Sequence, residues 1–316
     1  MRAAPTLTAS RTVFFRAIDE LATVGDLVRF GASVLSEAGC WFGHGSDNAL
    51  DEAHLLVLHA VHLRDVFLVE ASLPQEFYAA RVASTEKQAV GDLLWRRVNE
   101  KIPAAYLIGE ALFAGLPFYV DERVLVPRSP LAEVIDLAFG SLLSAVPDRI
   151  LDIGTGSGCI AIACAYAAPE AEVVATDVDE GARKVAWCNV QRHGLEDRVH
   201  VVGADVFDGV DGRFDLVISN PPYVPRAVVD ALPSEYGHEP RIGLDAGVDG
   251  LDVARRLLAA GNEHLTPEGM MIVEVGEASS ALEATYPDAP FIWLDDELES
   301  GGEGVFMIRA ADLPLQ

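Results

Sequence analysis

Basic residues are scarce in this chain of 316 residues, which has 23 lysines and arginines against 49 aspartates and glutamates. The resulting net charge of −26 argues against an extended duplex-DNA footprint, because phosphate binding needs a basic surface. An acidic protein is well matched to a strongly basic protein partner, although the same charge also favours solubility. The charge therefore disfavours stable nucleic-acid binding, and it leaves both steering of a basic partner and simple solubility open.

Cysteines are also few, and long apolar runs are missing. The four cysteines form no Cys-x-x-Cys pair, which predicts buried thiols in a reducing, cytosolic compartment. The eight histidines lack metal-binding spacing, so no metal site is predicted, and no apolar run is long enough to cross a bilayer. The first 16 residues carry three arginines and no acid but no apolar block, which favours a disordered tail leading into a helix over a transit peptide.

The first third of the chain has helical periodicity. Apolar residues recur at helical intervals over 50–61, behind Asp47 as the predicted N-cap, and further helices are predicted over 73–82 and around 90–98. The pattern then changes to short β-prone runs, 113–120 and 123–126, which are separated by Asp121-Glu122 and predict a β-hairpin that turns there. We therefore expect an N-terminal helical substrate-recognition domain (1–105), a β-hairpin linker (106–130) and a catalytic domain (131–316).

Strand and helix patterns alternate over the rest of the chain, which indicates an α/β fold with a doubly wound parallel sheet and helices on both faces. The last two strand candidates lack an intervening helix and should pair antiparallel, giving a mixed seven-stranded sheet. The predicted strands are Arg149–Ile153, Glu172–Thr176, Val199–Val202, Phe214–Ser219, Met270–Val275, Phe291–Leu294 and Val305–Ile308.

A glycine-rich turn follows the first of these strands. The segment Asp152–Gly158 has glycine at every second position from Gly154, and a helix pattern follows it. Glycines let the backbone turn sharply and approach a ligand closely. The spacing is tighter than the Gly-x-Gly-x-x-Gly of dinucleotide sites, and no Gly-Lys-Ser/Thr follows, which excludes a phosphate-binding P-loop. The turn therefore suits a smaller ligand, such as a nucleoside that carries an amino acid.

Acidic residues lie at the ends of the next two strands. Asp177 is well placed to accept hydrogen bonds from ribose hydroxyls, and Asp205 can accept an adenine amino hydrogen while Val206 and Phe207 cover the ring. Ligands of α/β sheets gather at these carboxyl ends, so the three signals support one site. The predicted cofactor-binding residues are Asp152, Gly154, Thr155, Gly156, Ser157, Gly158, Asp177, Val178, Asp205, Val206, Phe207 and Asn220.

The fourth strand runs directly into Asn220-Pro221-Pro222-Tyr223, the predicted catalytic loop. Two prolines stop strand pairing and fix φ, so the loop is stiff. The Asn220 side-chain oxygen and the Pro221 carbonyl can accept both hydrogens of a planar –NH2 group, and Tyr223 can pack against it. This arrangement favours methyl transfer to an amide or amine nitrogen.

These motifs resemble the amino-group methyltransferases with an Asn-Pro-Pro-Tyr signature, which act on DNA adenine, RNA guanine or protein glutamine. Over residues 148 to 224 the resemblance implies the class I methyltransferase fold and S-adenosylmethionine as cofactor, with S-adenosylhomocysteine as product. The flanking segments extend it over most of residues 50 to 312, towards the HemK-like protein glutamine methyltransferases. Those segments are 112–120, 124–130, 232–240 and 243–251.

Within that family the chain is most similar to the branch acting on ribosomal protein L3. It has Pro127-Arg128-Ser129-Pro130 where the release-factor branch usually has Pro-Arg-Pro followed by an acidic Thr-Glu element. The segment Glu235-Tyr236-x-His238-Glu239 and the ending 301–306 also resemble the branch acting on the ribosomal protein. The resemblance implies N5-methylation of a glutamine of that basic protein before ribosome assembly, with release factors as the alternative substrate and nucleic-acid adenine a weaker one.

The same resemblance implies where the substrate binds. The predicted substrate-binding residues are Asn220, Pro221, Tyr223, Glu235, Tyr236, His238 and Glu239. The last four either line a peptide groove or pack locally in their loop. Arg128 either contacts a ligand or forms a structural ion pair, and Glu274, at the end of the fifth strand, is a further candidate.

Overall fold

The computed structural model describes residues 10–63, 74–137, 143, 145–294 and 304–313. Its contacts divide the chain into two compact units. The first, here called the helical unit, comprises residues up to Gly109 together with Pro233–His238; the second, the sheet unit, comprises Glu110–Leu232 and the residues from Glu239 onwards. In the described ranges, no helix is long and apolar enough to span a membrane.

The helical unit is built from amphipathic helices around one apolar core. Phe14, Leu27, Leu56 and Leu94 are among its fully buried side chains. Such a core is what the spacing of apolar residues at three and four positions predicts. The helices are α1 (Arg11–Glu20), α2 (Val24–Glu37), α3 (Ala49–Ala60), α4 (Gln75–Ala79), α5 (Ser84–Glu100) and α6 (Ala104–Ile108).

Two details of the helix predictions are wrong. The cap of α3 is Asn48, whose side chain accepts hydrogen bonds from the amides of Leu50 and Asp51, and not Asp47. Of the predicted helix 73–82, only α4 (Gln75–Ala79) is helical, and residue 73 lies outside the described residues. Helix α2, which no prediction included, begins with a capping box in which Thr23 and Asp26 each accept a hydrogen bond from the other's amide.

The predicted hairpin exists, but its turn was assigned to the wrong residues. Strands β1 (Glu110–Phe113) and β2 (Leu116–Tyr119) pair antiparallel and turn at Ala114-Gly115, not at Asp121-Glu122. Both turn residues have positive φ, 48° and 73°, as a two-residue hairpin requires. Residues 123–126 form no strand; instead, Asp121 accepts hydrogen bonds from the Arg123 amide and guanidinium.

The sheet unit contains the predicted mixed seven-stranded sheet, with strand order β5-β4-β3-β6-β7-β9-β8. Strands β3 to β7 of this sheet pair in parallel, and β9 pairs antiparallel with β7 and β8. The strands are β3 (Arg149–Ile153), β4 (Glu172–Asp177), β5 (Val199–Gly203), β6 (Phe214–Ser219), β7 (Leu265–Glu274), β8 (Ile292–Trp293) and β9 (Val305–Arg309).

Helices follow β3, β4, β6 and β7, and the sheet is buried on both faces. Ile150 packs into one apolar cluster, and Leu151 and Ile153 pack into another on the opposite face. This burial explains the nearly continuous apolar runs of the central strands. The helices are α7 (Leu131–Leu137), α8 (Cys159–Ala167), α9 (Glu180–His193), α10 (Arg226–Val229), α11 (Asp252–His264) and α12 (Ser279–Thr285).

The strand order reverses between β3 and β6. Chain connections run outwards from β3 through β4 to β5 and then return to β6 on its other side. In open α/β sheets, the carboxyl ends of the strands at such a switch point form the ligand-binding crevice. The glycine turn after β3 and the Asn220 loop after β6 both begin there.

Candidate active site

The glycine turn after β3 has the backbone that the sequence predicts. Gly154 and Gly156 have φ values of 72° and 55°, and a β-carbon at either position would meet no atom within 4 Å. Glycine is therefore required by the backbone conformation, and the space beside the turn is open to a ligand. Gly158, which is also left-handed, is the N-cap of α8, and a β-carbon there would lie 3.3 Å from Ala186.

Asp152 lies beneath this turn and is fully buried. Its Oδ2 accepts hydrogen bonds from the Thr155 hydroxyl at 2.6 Å and from the Ala161 amide at 3.1 Å. Its Oδ1 has no hydrogen-bond partner in the described part of the chain, and burial raises the pKa of Asp152 to about 7. A buried acceptor without a partner is costly unless a ligand completes its hydrogen bonding. An unpartnered acceptor at this position would fit a ligand group that donates a hydrogen bond, such as an amino acid's ammonium.

Asp177, at the end of β4, is joined directly to the same turn. One carboxylate oxygen accepts a hydrogen bond from the Gly156 amide at 3.0 Å, and the other accepts one from the Asp179 amide at 2.9 Å. Burial raises the pKa of Asp177. Both oxygens keep further lone pairs for ribose hydroxyls. The following residue, Val178, is 53% exposed and offers an apolar surface beside the carboxylate.

The loop after β5 contains a strained residue. Val206 has a φ of 57°, which a β-branched side chain rarely adopts, and the backbones of Asp205 and Asp208 bond to each other across it. The Asp205 carboxylate forms an ion pair with Arg256 at 2.7 Å. Phe207 is buried, stacked on His264 with ring centroids 4.4 Å apart. An adenine amino group would therefore share Asp205 with Arg256.

The predicted catalytic loop leaves the sheet beside the glycine turn. Strands β3 and β6 pair in register up to Ile153 and Ser219, and the Ser219 hydroxyl donates a hydrogen bond to the Ile153 carbonyl at 2.7 Å. The next residues along the two strands, Gly154 and Asn220, therefore lie side by side. The Asn220 side chain makes no hydrogen bond to the described residues, so its amide oxygen is available to a substrate. The next residue, Pro221, is buried.

Tyr223 ends this loop with its ring packed inside the sheet unit. Its hydroxyl donates a hydrogen bond to Glu274 Oε1 at 2.8 Å, at the end of β7. The structure therefore brings Asn220, Tyr223 and the previously isolated candidate Glu274 to one edge of the sheet.

The four downstream candidates divide between the two units. In the helical unit, Glu235 is buried and bonded to Arg97 at 3.0 Å, Tyr236 packs against His44, and His238 Nε2 lies 2.9 Å from the Glu100 carbonyl. Burial acts to raise the pKa of Glu235, but hydrogen bonds from the Trp41 amide and Arg97 outweigh it and lower that pKa. The assignment of these residues to substrate binding stays a prediction.

Glu239 belongs to the sheet unit, where its carboxylate is fully occupied. Both Arg128 guanidinium nitrogens donate to it at 2.6 Å, and the Val126 amide donates at 3.0 Å. Of the two roles open to Arg128, the structure shows the ion pair. A direct contact between Glu239 and a substrate would compete with these bonds.

One residue next to the cofactor turn was missed. Asn189, fully buried on α9, accepts a hydrogen bond from the Tyr119 amide at 2.7 Å and donates to the Tyr119 carbonyl at 2.9 Å and the Ser157 carbonyl at 2.8 Å. It thus joins the hairpin to the glycine turn. The signal was present, because Asn189 continues the buried stripe of Ala182, Val185 and Ala186.

Comparisons with known proteins show what this chain is similar to. The chain matches the family model named Methyltransferase small domain over residues 132–232, a range that contains every predicted cofactor-binding residue and the whole Asn220–Tyr223 loop. Among solved structures, a methyltransferase from Pyrococcus furiosus is 22% identical, with a TM-score of 0.45, over 62% of this chain and 89% of that chain.

Two relatives named ribosomal protein uL3 glutamine methyltransferase match nearly the entire chain. The proteins from Neisseria gonorrhoeae and Neisseria meningitidis serogroup A are each 41% identical to it over 304 residues. The alignments cover 95% of this chain and 99% and 97% of the relatives, so they include both units. The chain is thus an enzyme that takes its methyl group from S-adenosylmethionine, and it belongs to the family of ribosomal protein uL3 glutamine methyltransferases.

Proposed function

We propose that this protein transfers a methyl group from S-adenosylmethionine to the side-chain amide nitrogen, N5, of a glutamine in ribosomal protein uL3. The observation that carries the chemistry is the pairing of Ile153 with Ser219, which sets the free Asn220 amide beside the glycine turn. The substrate is supported by relatives of that name that are 41% identical over 95% of the chain.

An amide nitrogen is a weak nucleophile because its lone pair is delocalised into the carbonyl group. The Asn220 oxygen and the Pro221 carbonyl accept hydrogen bonds from its two N–H groups and turn the lone pair towards the methyl group. When bound, S-adenosylmethionine supplies an electrophilic methyl group on a sulfonium ion. The amide nitrogen would take this methyl group as the carbon–sulfur bond breaks, and it would then give one proton to solvent. Alignment is the main task of the loop, and a stiff Pro221-Pro222 pair suits it.

Asp152 and Asp177 are proposed to hold the cofactor. The unpartnered Oδ1 of Asp152 suits the ammonium group of the amino-acid portion, and the Asp177 carboxylate suits the ribose hydroxyls. Asp205, with Val178, Val206 and Phe207, is proposed to hold the adenine. These roles use the strand ends at which ligands of such sheets bind.

The preferred substrate is proposed to be free uL3 in the cytoplasm, before it enters the ribosome. A net charge of −26 attracts a basic ribosomal protein and repels the phosphates of assembled ribosomal RNA. Methylation should therefore be faster on free uL3 than on intact large subunits, and the difference should shrink as added salt screens the charges.

A labelling experiment tests the proposal. The protein is incubated with isotopically labelled S-adenosylmethionine and, in parallel, with uL3, a peptide release factor and duplex DNA, and the label is located by peptide mass mapping. Label on a glutamine of uL3 is expected. Label on the release factor alone, or on adenine, would contradict the proposed substrate.

A further inference from the structure

Glu274 places a buried carboxylate directly behind the catalytic loop. It ends β7, is only 3% exposed, and accepts a hydrogen bond from the Tyr223 hydroxyl on Oε1 at 2.8 Å. Its Oε2 accepts a hydrogen bond from the Ser129 hydroxyl. Removing a carboxylate from water is costly, so one that is kept at a strand end needs both oxygens satisfied. These two hydroxyl groups satisfy them.

The direction of the Ser129 bond follows from its second partner. Ser129 Oγ accepts a hydrogen bond from the Leu131 amide at 3.1 Å, which leaves its single hydrogen for Glu274. Tyr223 likewise donates its only hydroxyl hydrogen. Glu274 is therefore an acceptor on both sides. Burial raises the pKa of Glu274, and the two hydroxyl groups act in the opposite direction.

Two glycines pack closely against Tyr223. A β-carbon on Gly276, whose φ is 47°, would lie 2.7 Å from the Tyr223 ring, and one on Gly250 would lie 2.4 Å from the Tyr223 carbonyl oxygen. The ring and the backbone of Tyr223 are therefore each in close contact with a glycine. With its hydroxyl bonded to Glu274, the side chain is fixed at its packed face and at its tip.

We propose that Glu274 is a positioning residue for methyl transfer, which acts by holding the Tyr223 hydroxyl and thereby the alignment of the Asn220–Tyr223 loop. This inference rests on the proposed function of that loop in aligning a substrate amide. Among the described residues, the hydrogen bonds of Glu274 go to Ser129 and Tyr223 and none goes to the glycine turn, so we expect its loss to act on the aligning loop. A displacement of about 1 Å in an aligning group lowers the reaction rate on the order of a hundredfold, so we expect the effect in kcat and not in the affinity for the cofactor.

Three variants test this role. Tyr223→Phe removes only the hydroxyl, Glu274→Met keeps the size but removes both acceptors, and Glu274→Gln keeps one carbonyl oxygen for Tyr223. Tyr223→Phe and Glu274→Met should each lower kcat on uL3 by about tenfold or more, while the Kd for S-adenosylmethionine stays within about twofold. Glu274→Gln should recover most of the rate. The exposed neighbour Glu277→Gln is the matched control and should match the wild type.

The double variant Tyr223→Phe/Glu274→Met gives the sharper readout. If Glu274 acts through the hydroxyl, the second substitution should change kcat by less than about threefold, because the shared interaction is already lost. Independent, multiplying losses would overturn the proposal. So would a fully active Tyr223→Phe, a mild variant that stays informative even if Glu274→Met fails to fold. A wild type that labels no glutamine of uL3 would instead overturn the proposed function.

Discussion

The Ser219 hydroxyl donates a hydrogen bond to the carbonyl of Ile153 at 2.7 Å, and neither group is exposed to solvent. These are the last residues of two parallel strands that pair in register. One strand leads into the glycine turn and the other into the catalytic loop, so the bond fixes the spacing of Gly154 and Asn220. Under the proposed function, the donor methyl and the acceptor nitrogen would meet across that spacing, so we expect Ser219 to contribute to their alignment.

Replacing Ser219 by alanine should therefore impair two properties at once. The variant should lose about 1 kcal/mol of unfolding free energy, typical of one buried hydrogen bond, and kcat should fall by more than this small destabilisation explains. Urea unfolding and initial-rate kinetics on uL3 measure the two quantities. Ser33→Ala, which removes an exposed helical hydroxyl in the helical unit, is the control. Unchanged kcat in Ser219→Ala would contradict the alignment role.

Asn220→Ala should separate chemistry from cofactor binding. The side chain makes no bond within the described chain, so its removal should leave the fold intact, yet the substrate amide loses an acceptor. We expect kcat to fall by about a hundredfold or more, whereas the Kd for S-adenosylmethionine, which Asn220 is also predicted to contact, should change by a much smaller factor. Calorimetry and labelled-methyl transfer measure both, with Asn99→Ala on the exposed face of α5 as control. A loss confined to cofactor affinity would assign Asn220 a different role.

The sequence predicted the parts of this site that depend on local pattern. Each central strand is a short apolar run, and the residues that end it, such as Asp177 and Asn220, follow from position alone. Because carboxyl ends of parallel strands meet at one edge, the chain order of the motifs predicted their proximity. The geometry of Gly154 and Gly156 followed from residue type.

What the sequence did not predict depends on distant partners. Asn189, Arg97 and Glu52 lie on otherwise apolar helix faces, and only the fold shows that each has a partner there. The hairpin turn was misassigned because Ala114 is not a typical residue for positive φ and the acidic Asp121-Glu122 pair resembled a turn. In the structure Asp121 binds Arg123, a contact that pattern alone does not distinguish from a turn.

Asn189→Asp should weaken cofactor binding. The substitution keeps the acceptor for the Tyr119 amide but replaces the amide group that donates to the Tyr119 and Ser157 carbonyls with an oxygen that repels them. The glycine turn should shift, so the KM for S-adenosylmethionine should rise by about tenfold or more, with a smaller change in kcat. Lowering the pH, which protonates the new carboxyl group and restores one donor, should reduce the defect. A pH-independent defect would argue against this hydrogen-bond role.

Asp152→Asn should change the pH dependence of stability. Burial raises the pKa of Asp152 from 3.8 to about 7, so the folded state holds this proton more tightly than the unfolded state. The cost of ionising the buried acid is therefore absent below about pH 4, grows as the pH rises, and is complete above about pH 7. Without cofactor, the difference in unfolding free energy between the variant and the wild type should therefore shift in favour of the variant by about 2–3 kcal/mol when the pH is raised from 5 to 8. Denaturant unfolding at both pH values measures this, with the exposed Asp211→Asn as control; parallel curves would contradict the raised pKa.

Glu235 is either a structural residue or a substrate contact, and its buried ion pair with Arg97 allows the two roles to be distinguished. In the helical unit, the fully buried Arg97 guanidinium bonds to Glu52 at 2.7 Å and to Glu235 at 3.0 Å. Arg97→Ala leaves both carboxylates unpaired and should cost about 3–5 kcal/mol of unfolding free energy, whereas the exposed neighbour Arg96→Ala should cost less than about 1 kcal/mol. If Glu235 is structural, Glu235→Ala should also destabilise strongly in denaturant unfolding, with less than additive loss in the double variant. A Glu235→Ala variant that keeps its stability but has a raised KM for uL3 would instead support substrate contact. Breaking a buried ion pair that is structural should lower the unfolding free energy.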